Sequence, residues 1–420
     1  MQTKTIYYPS LENIKAASLN LKDVASITPL SHNFQYSKKF GAHILFKRED
    51  LQVVRSYKIR GAYNKMSFLT SFEKNNGIVC ASAGNHAQGV ALSCKLLKVK
   101  GTIYMPSPTP NQKIEQVKMF GEEFVEIRIE GDSFDDSFHA AILECESKNK
   151  TFIHPFNDEK VIEGQATVGL EILHQTNTKI DYVFVPVGGG GLSAGLSSVF
   201  KNLSPETKII GVEPAGAPSM KTSIYHKINT SLEKIDSFVD GAAVKRVGDL
   251  NFEICLQNLS EMITVPEGKI CQTILDLYNK DAIVVEPAGA LSIAALDFYA
   301  EQIKGKNVVC IVSGSNNDIT RTAEIKERAL LYANLKHYFI IKFPQRAGAL
   351  KEFLIDILGP NDDITHFEYT KKTNRENGAA VVGLQLISSE DLKPLIHKMK
   401  ERNFFGDYLN DKPDLFQFLV

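Results

Sequence analysis

Lys58 lies in "RSYKIRGAYN" (55–64), between an aromatic residue and an isoleucine and just ahead of an Arg-Gly-Ala helix start. An amine drawn into such surroundings loses its charge and becomes a nucleophile. Four consecutive glycines, Gly188 to Gly191, close the apolar run of "YVFVPVGGGGLSAGL" (182–196) and lead into a small-residue helix pattern. Glycine lets main-chain N–H groups approach a ligand without Cβ interference, and a helix start adds partial positive charge, so this turn suits an anion such as a phosphate. "SAGNHAQG" (82–89) places small residues and Asn85 at another helix start, able either to present N–H groups to a carboxylate or to cap the helix through Ser82 or Asn85. "VSGSN" (312–316) sets a hydroxyl, Ser313, just past an apolar run.

The glycine turn also admits a dinucleotide reading. Gly189-x-Gly191-x-x-Ala194 follows a strand pattern, opens a helix and precedes Glu213 at the end of the next strand, which satisfies the fingerprint for NAD. No Gly-Lys-Ser/Thr follows, which excludes a nucleoside-triphosphate P-loop.

The elements that position these residues alternate along the chain. "HILFKRED" (43–50), "GIVCASAG" (77–84), "GTIYMP" (101–106), "EFVEIRI" (123–129), "YVFVPVG" (182–188), "KIIGVEP" (208–214) and "NVVCIVSG" (307–314) read as strands. Asn85 to Lys98, Asn111 to Phe120, Asp132 to Lys148 and Val161 to Gln175 read as helices between them. Such alternation predicts an α/β fold with parallel strands, helices on both faces and ligands at the carboxyl ends of the strands, where all the motifs fall. Residues 318 to about 335 read as a charged helical connector, and the period then changes. "KHYFIIKFP", a helix from Ala349 to Leu358, "ITHFEYT", a turn holding Asn377-Gly378, "AAVVGLQLIS" and a helix face of Leu392, Leu395, Ile396 and Met399 give a small βαββα domain.

Composition narrows the partners. Of 420 residues 43% are hydrophobic and 23% charged, with net charge −1, so neither disorder nor attraction to nucleic acid or membrane is expected. Six scattered cysteines form no C-x-x-C pair, which suits a reducing cytoplasm. The first residues lack a signal-peptide core, and no apolar run approaches the ~20 residues of a spanning helix.

Taken in order, "SYKIRGAYN", "SAGNHAQG", "VGGGGLSAG", "GVEP", "VEPAGA" and "SGSN" resemble the threonine dehydratases among the tryptophan-synthase-β-like, fold-type II pyridoxal-phosphate enzymes. The resemblance implies a two-lobed catalytic domain over 1–320, a connector over 321–335 and an ACT-like regulatory domain over 336–420. It makes Lys58 the Schiff-base lysine and catalytic base, and Gly188, Gly189, Gly190, Gly191 and Leu192 the phosphate cup. It makes Asn85 the partner of the ring hydroxyl, Ser313 the partner of the pyridine nitrogen, and Ser82, Ala83, Gly84, Asn85 and His86 the substrate-carboxylate loop. The implied reaction deaminates L-threonine, with L-serine as a second substrate, to open isoleucine synthesis. A serine hydroxyl does not hold a full proton on the pyridine nitrogen, which favours loss of the β-hydroxyl over racemisation or transamination. Related serine racemases carry a second serine where this chain has Ala83, and a metal-binding acid where it has Ser219, so elimination without a metal is expected. Tyr57 replaces a commoner phenylalanine, and Ser315 and Ala166 stand where smaller or other small residues are frequent. The tail "KFPQRAGALKEFLIDILGP" resembles one ACT-like copy, implying isoleucine as inhibitor, valine as its antagonist and a homotetramer. His86, His154, Glu163 and Glu286 read as hydrogen-bonded framework.

Overall fold

The apolar runs at 44–47, 78–81, 101–105, 182–186, 209–214 and 308–312 are strands buried on both faces, as parallel sheets require, while the run at 125–129 is partly exposed. The computed structural model describes residues 7–369, 377–412 and 414–416. The chain divides into two units, Met1–Thr320 and Arg321–Val420. The first holds ten strands: β1 (Leu30–His32), β2 (His43–Arg48), β3 (Ile78–Ala81), β4 (Gly101–Met105), β5 (Val125–Ile129), β6 (Thr151–Phe152), β7 (Tyr182–Pro186), β8 (Lys208–Pro214), β9 (Glu261–Val265) and β10 (Asn307–Val312). They form a six-stranded sheet of order β1-β2-β10-β7-β8-β9 and a four-stranded sheet of order β5-β4-β3-β6. All neighbours are parallel except β1 and β2. The small sheet's chain is thus inserted between β2 and β7, two strands separated in the large sheet only by β10.

This topology collects the motifs. Lys58 follows β2, the glycine turn follows β7 and Ser313 follows β10, three adjacent parallel strands whose carboxyl ends point the same way. Ser82 to His86 follow β3 of the small sheet.

The helix Lys58–Ser67 is held from two sides. It crosses the helix Glu159–Gln175 so closely that a Cβ on Gly164 would lie 2.5 Å from the Arg60 carbonyl oxygen, and one on Gly61 2.4 Å from Gln165 Nε2. Beneath it Arg60, 1% exposed, pairs with both oxygens of Glu49 at 2.8 Å and with Glu171 at 2.6 and 2.9 Å.

In the second unit the helix Thr322–Tyr332 precedes β11 (Lys336–Pro344), β12 (Asp363–Tyr369), β13 (Asn377–Gln385) and β14 (Phe405–Tyr408), an antiparallel sheet of order β12-β13-β11-β14. The helical segment after β11 is α-helical only over Ala349–Glu352 and continues as a π turn over Phe353–Ile357. Phe339, Ile341 and Phe343 of β11 pack with Phe353, Ile357, Leu395 and Met399 in one core. Asn377 and Gly378 lie within β13, opposite Pro344 and Phe343, and the turn before them falls outside the described residues. β14 adds a strand, giving βαββαβ.

The helix crossing yields an expectation. Gly164→Ala introduces a methyl against a backbone oxygen and should destabilise the fold by about 1–3 kcal/mol. A urea titration checks this as a lower midpoint at unchanged slope, and an unaltered midpoint would show the crossing to be loose.

Candidate active site

Lys58 opens its helix at the carboxyl end of β2, and its Nζ donates to the Pro155 carbonyl oxygen at 2.9 Å. The side chain is half-buried, and what surface it keeps faces a cavity of about 940 Å³ between the two lobes. Burial pushes the Lys58 ammonium down from 10.5 to about 8, and the charge of nearby Glu286 only partly offsets this.

Glu286 is 5% exposed and caps no helix N–H with its side chain; its Oε1 accepts from Asn85 Nδ2 at 2.6 Å. Asn85 Oδ1 in turn accepts from Asn316 Nδ2 at 2.6 Å. Burial, with a contribution from Asp240, pushes Glu286 up from 4.5 to about 7. Glu286 is therefore the hydrogen-bonded framework residue expected from the sequence and also a wall of the cavity, a place not evident from the sequence. A Cβ on Gly314 would stand 2.3 Å from Glu286 Oε1, so the "SGSN" glycine makes room for this acid.

The glycine turn is bare for four separate reasons. A Cβ on Gly188 would meet Ala242, on Gly189 the ring of Phe156, on Gly190 Asn251 and Met220, and on Gly191 the backbone of Phe156. Gly190 also has φ +90°, which side chains rarely adopt. Among the described residues no acceptor meets the N–H groups of Gly188 to Leu192, which surround the start of the helix Gly191–Leu203. Such buried, aligned donors want an anion.

Ser82 to His86 line the cavity on its small-lobe side. Neither Ser82 nor Asn85 caps the helix Asn85–Leu97; the cap residue is Gly84, whose N–H donates to Ser82 Oγ at 3.2 Å. His86 bonds the Ile153 carbonyl oxygen at 2.9 Å, and burial pushes it down to about 3, so it is neutral. Ser313 Oγ donates to the Ala288 carbonyl oxygen at 3.2 Å and lines a narrow niche together with Tyr57, Lys58, Asn85 and Gly188. Every site residue expected from the sequence thus borders one cavity, that niche or the glycine turn joining them, save for the lining role of Gly190 to Leu192, which rests on their N–H groups.

Like His86 and Glu286, the other two residues expected as framework are hydrogen-bonded: Glu163 accepts from Tyr7 and Asn13, and His154 Nδ1 accepts from the N–H groups of Phe156 and Asn157. Glu213 accepts from the N–H groups of Met220 and Lys221 at 2.6 and 2.9 Å, so its carboxyl caps a helix and is turned away from any ribose. The NAD reading loses its acidic partner.

Residues 21–314 match the family described as pyridoxal-phosphate dependent enzyme. The chain belongs to this family. Residues 327–419 match the C-terminal regulatory domain of threonine dehydratase. The biosynthetic L-threonine dehydratase of Halalkalibacterium halodurans is 55% identical over 411 residues, 98% of this chain and 99% of that relative. Its namesake in Bacillus subtilis is 54% identical over 410 residues, 98% of this chain and 97% of the relative. The processed form of threonine deaminase isoform 2 from Solanum lycopersicum superposes with a TM-score of 0.72 at 38% identity, over 77% of this chain and 91% of that one.

As a pyridoxal-phosphate dependent enzyme the chain needs an uncharged amine, an anion cradle and polar groups for a ring. The lowered Lys58, the unpartnered N–H groups of the glycine turn, and Asn85 with Ser313 are suited to the three tasks. In cofactor-free protein, amine-selective labelling followed by peptide mass spectrometry should titrate Lys58 with a midpoint near pH 8. Because the Glu286 charge raises the Lys58 pKa, Glu286→Gln should move that midpoint lower; a midpoint at the ordinary 10.5 would refute the burial argument.

Proposed function

We propose that this chain deaminates L-threonine to 2-oxobutanoate and ammonia, the step that opens isoleucine synthesis, with L-serine as a second substrate. The observation that carries the reading is a half-buried amine of lowered pKa in one cavity with an unpartnered glycine-turn cradle. Close relatives bearing the name biosynthetic L-threonine dehydratase over nearly their whole length support it.

Pyridoxal phosphate, when bound, supplies an electron sink that acidifies the Cα–H of an amino acid. The N–H groups of Gly188 to Leu192 would hold its phosphate, Lys58 its aldehyde carbon, Asn85 its ring hydroxyl and Ser313 its pyridine nitrogen. The Ser82–His86 turn orients the substrate carboxylate. With a pKa near 8, the Lys58 amine gives up its proton readily and serves as general base at Cα. The Cα–H electron pair forms the Cα–Cβ double bond as the Cβ–O bond breaks, and the hydroxide leaves as water with one proton, which balances the proton Lys58 takes from Cα; later addition of water releases ammonia and leaves the keto acid. Ala83 offers no acid or base on the opposite face, which leaves elimination as the outcome.

The second unit would bind isoleucine as inhibitor, with valine as antagonist, in a homotetramer of the cytoplasm. The match to a regulatory domain supports an effector, and among the described residues no helix is long and apolar enough to cross a membrane. An amino-acid sensor without activity is the competing reading, and intact Lys58, Asn85 and Ser313 speak against it.

Lys58→Ala should abolish both the cofactor's protein-bound absorbance band and keto-acid release from L-threonine, followed with a coupled reductase; ordinary turnover in that variant rejects the assignment. L-Isoleucine should inhibit the full chain and leave a chain ending at Asn334 unaffected, whereas equal inhibition of both would place the effector elsewhere.

A further inference from the structure

Phe156 lies outside every motif, yet it is the side chain that joins Lys58 to the glycine turn. The carbonyl oxygen of the residue before it, Pro155, accepts from the Lys58 amine at 2.9 Å, and the Phe156 ring covers Gly189 so closely that a Cβ there would stand 2.2 Å from ring atoms. The segment is fixed at both ends. His154 Nδ1 accepts the N–H groups of Phe156 at 3.2 Å and Asn157 at 2.8 Å, while its ring packs edge-on against the Phe156 ring with centroids 4.7 Å apart. Asn251 Nδ2 donates to both the Phe156 and the Gly189 carbonyl oxygens, at 3.0 and 2.7 Å, so one side chain ties the two main-chain segments together. Burial holds His154 near 4, which keeps its nitrogen an acceptor at neutral pH.

Resting on the threonine reading above, we propose that the Phe156 ring is the wall met by the substrate's β-substituent and sets the preference for threonine over serine. A substrate whose Cα proton is within reach of Lys58 also lies beside Pro155 and Phe156, because the amine is bonded to that segment. Its carboxylate is taken by the Ser82–His86 turn and its nitrogen by the cofactor side. Several apolar side chains line the cavity, among them Phe138, Ile235 and Val244, but the Phe156 ring is the aromatic one carried next to the residue that receives the Lys58 amine, and the Cβ group is assigned to it. The threonine methyl, two bonds from Cα, is the atom that distinguishes the two substrates. Apolar contact with a ring rewards a methyl by roughly one methylene's worth of transfer, about fourfold in rate constant ratio.

The test compares kcat/KM for L-threonine and L-serine in the holoenzyme and in Phe156→Ala and Phe156→Leu variants that retain the cofactor's absorbance band. The threonine-to-serine ratio should fall about fourfold or more in Phe156→Ala and less in Phe156→Leu. Equal losses for both substrates, or an unchanged ratio, would overturn the inference while leaving the deaminase reading intact. A second measurement needs no turnover: the binding ratio of L-2-aminobutyrate to L-alanine, read from cofactor absorbance, should drop in the same variants, and an unchanged ratio overturns it too. If the unaltered enzyme released no keto acid from L-threonine, the function itself would fail first, and that outcome is distinct from both.

Discussion

Two carboxylates and two cations, locked together on the far side of the helix that carries Lys58, hold that helix while its amine faces the cavity, with Glu286 the one charge that offsets its burial. Arg60 takes both oxygens of Glu49 and both of Glu171, and Lys47 adds Glu171 at 2.5 Å and the Thr28 carbonyl oxygen at 2.7 Å. Buried charges are tolerable only when matched in this way. Burial works against the Glu49 charge, yet Arg60 and Lys47 hold its carboxyl below the usual carboxylate range. Lys58 and Arg60 are two positions apart, about 200° around a helix, so paired charge and unpaired amine occupy opposite sides of one turn.

The glycines serve the same end from the other direction. Gly61 and Gly164 let two helices touch backbone to backbone, and Gly89 comes within 3.1 Å of the Lys58 carbonyl by the same measure. The lysine is therefore fixed through its main chain, which leaves the side chain free to reach. At the glycine turn each missing Cβ is replaced by a particular neighbour, so the quartet is a packing requirement as much as a matter of N–H access.

Much of this could be read from the sequence, because long parallel strands and helices carry their own period. β8 was bounded to the residue, as was β11, and the helix face of Leu392, Leu395, Ile396 and Met399 is the inner face of the second unit. β1 and β6, three and two residues long, are too short to show a period and exist only through pairing with β2 and β3. β9 and β14 sit at sheet edges, where half-buried patterns blur the alternation. Within the site, motif order brought out Lys58, Ser313 and the glycines. The Asn316–Asn85–Glu286 chain joins residues 231 and 201 positions apart, and Phe156 acts through a contact with Gly189. Neither relation has a local signature, so only the folded arrangement reveals them.

The position of β10 shapes how the molecule comes to exist. Its neighbours β2 and β7 are finished early, but the strand that must lie between them is the last of the large sheet to leave the ribosome. Until then two partial sheets present open backbone edges to one another and to other nascent chains, the situation in which strands pair wrongly and aggregate. Closing the middle last also ties Ser313 to a late stage of synthesis: the niche it lines with Lys58 and Gly188 is complete only when nearly three quarters of the polypeptide has emerged.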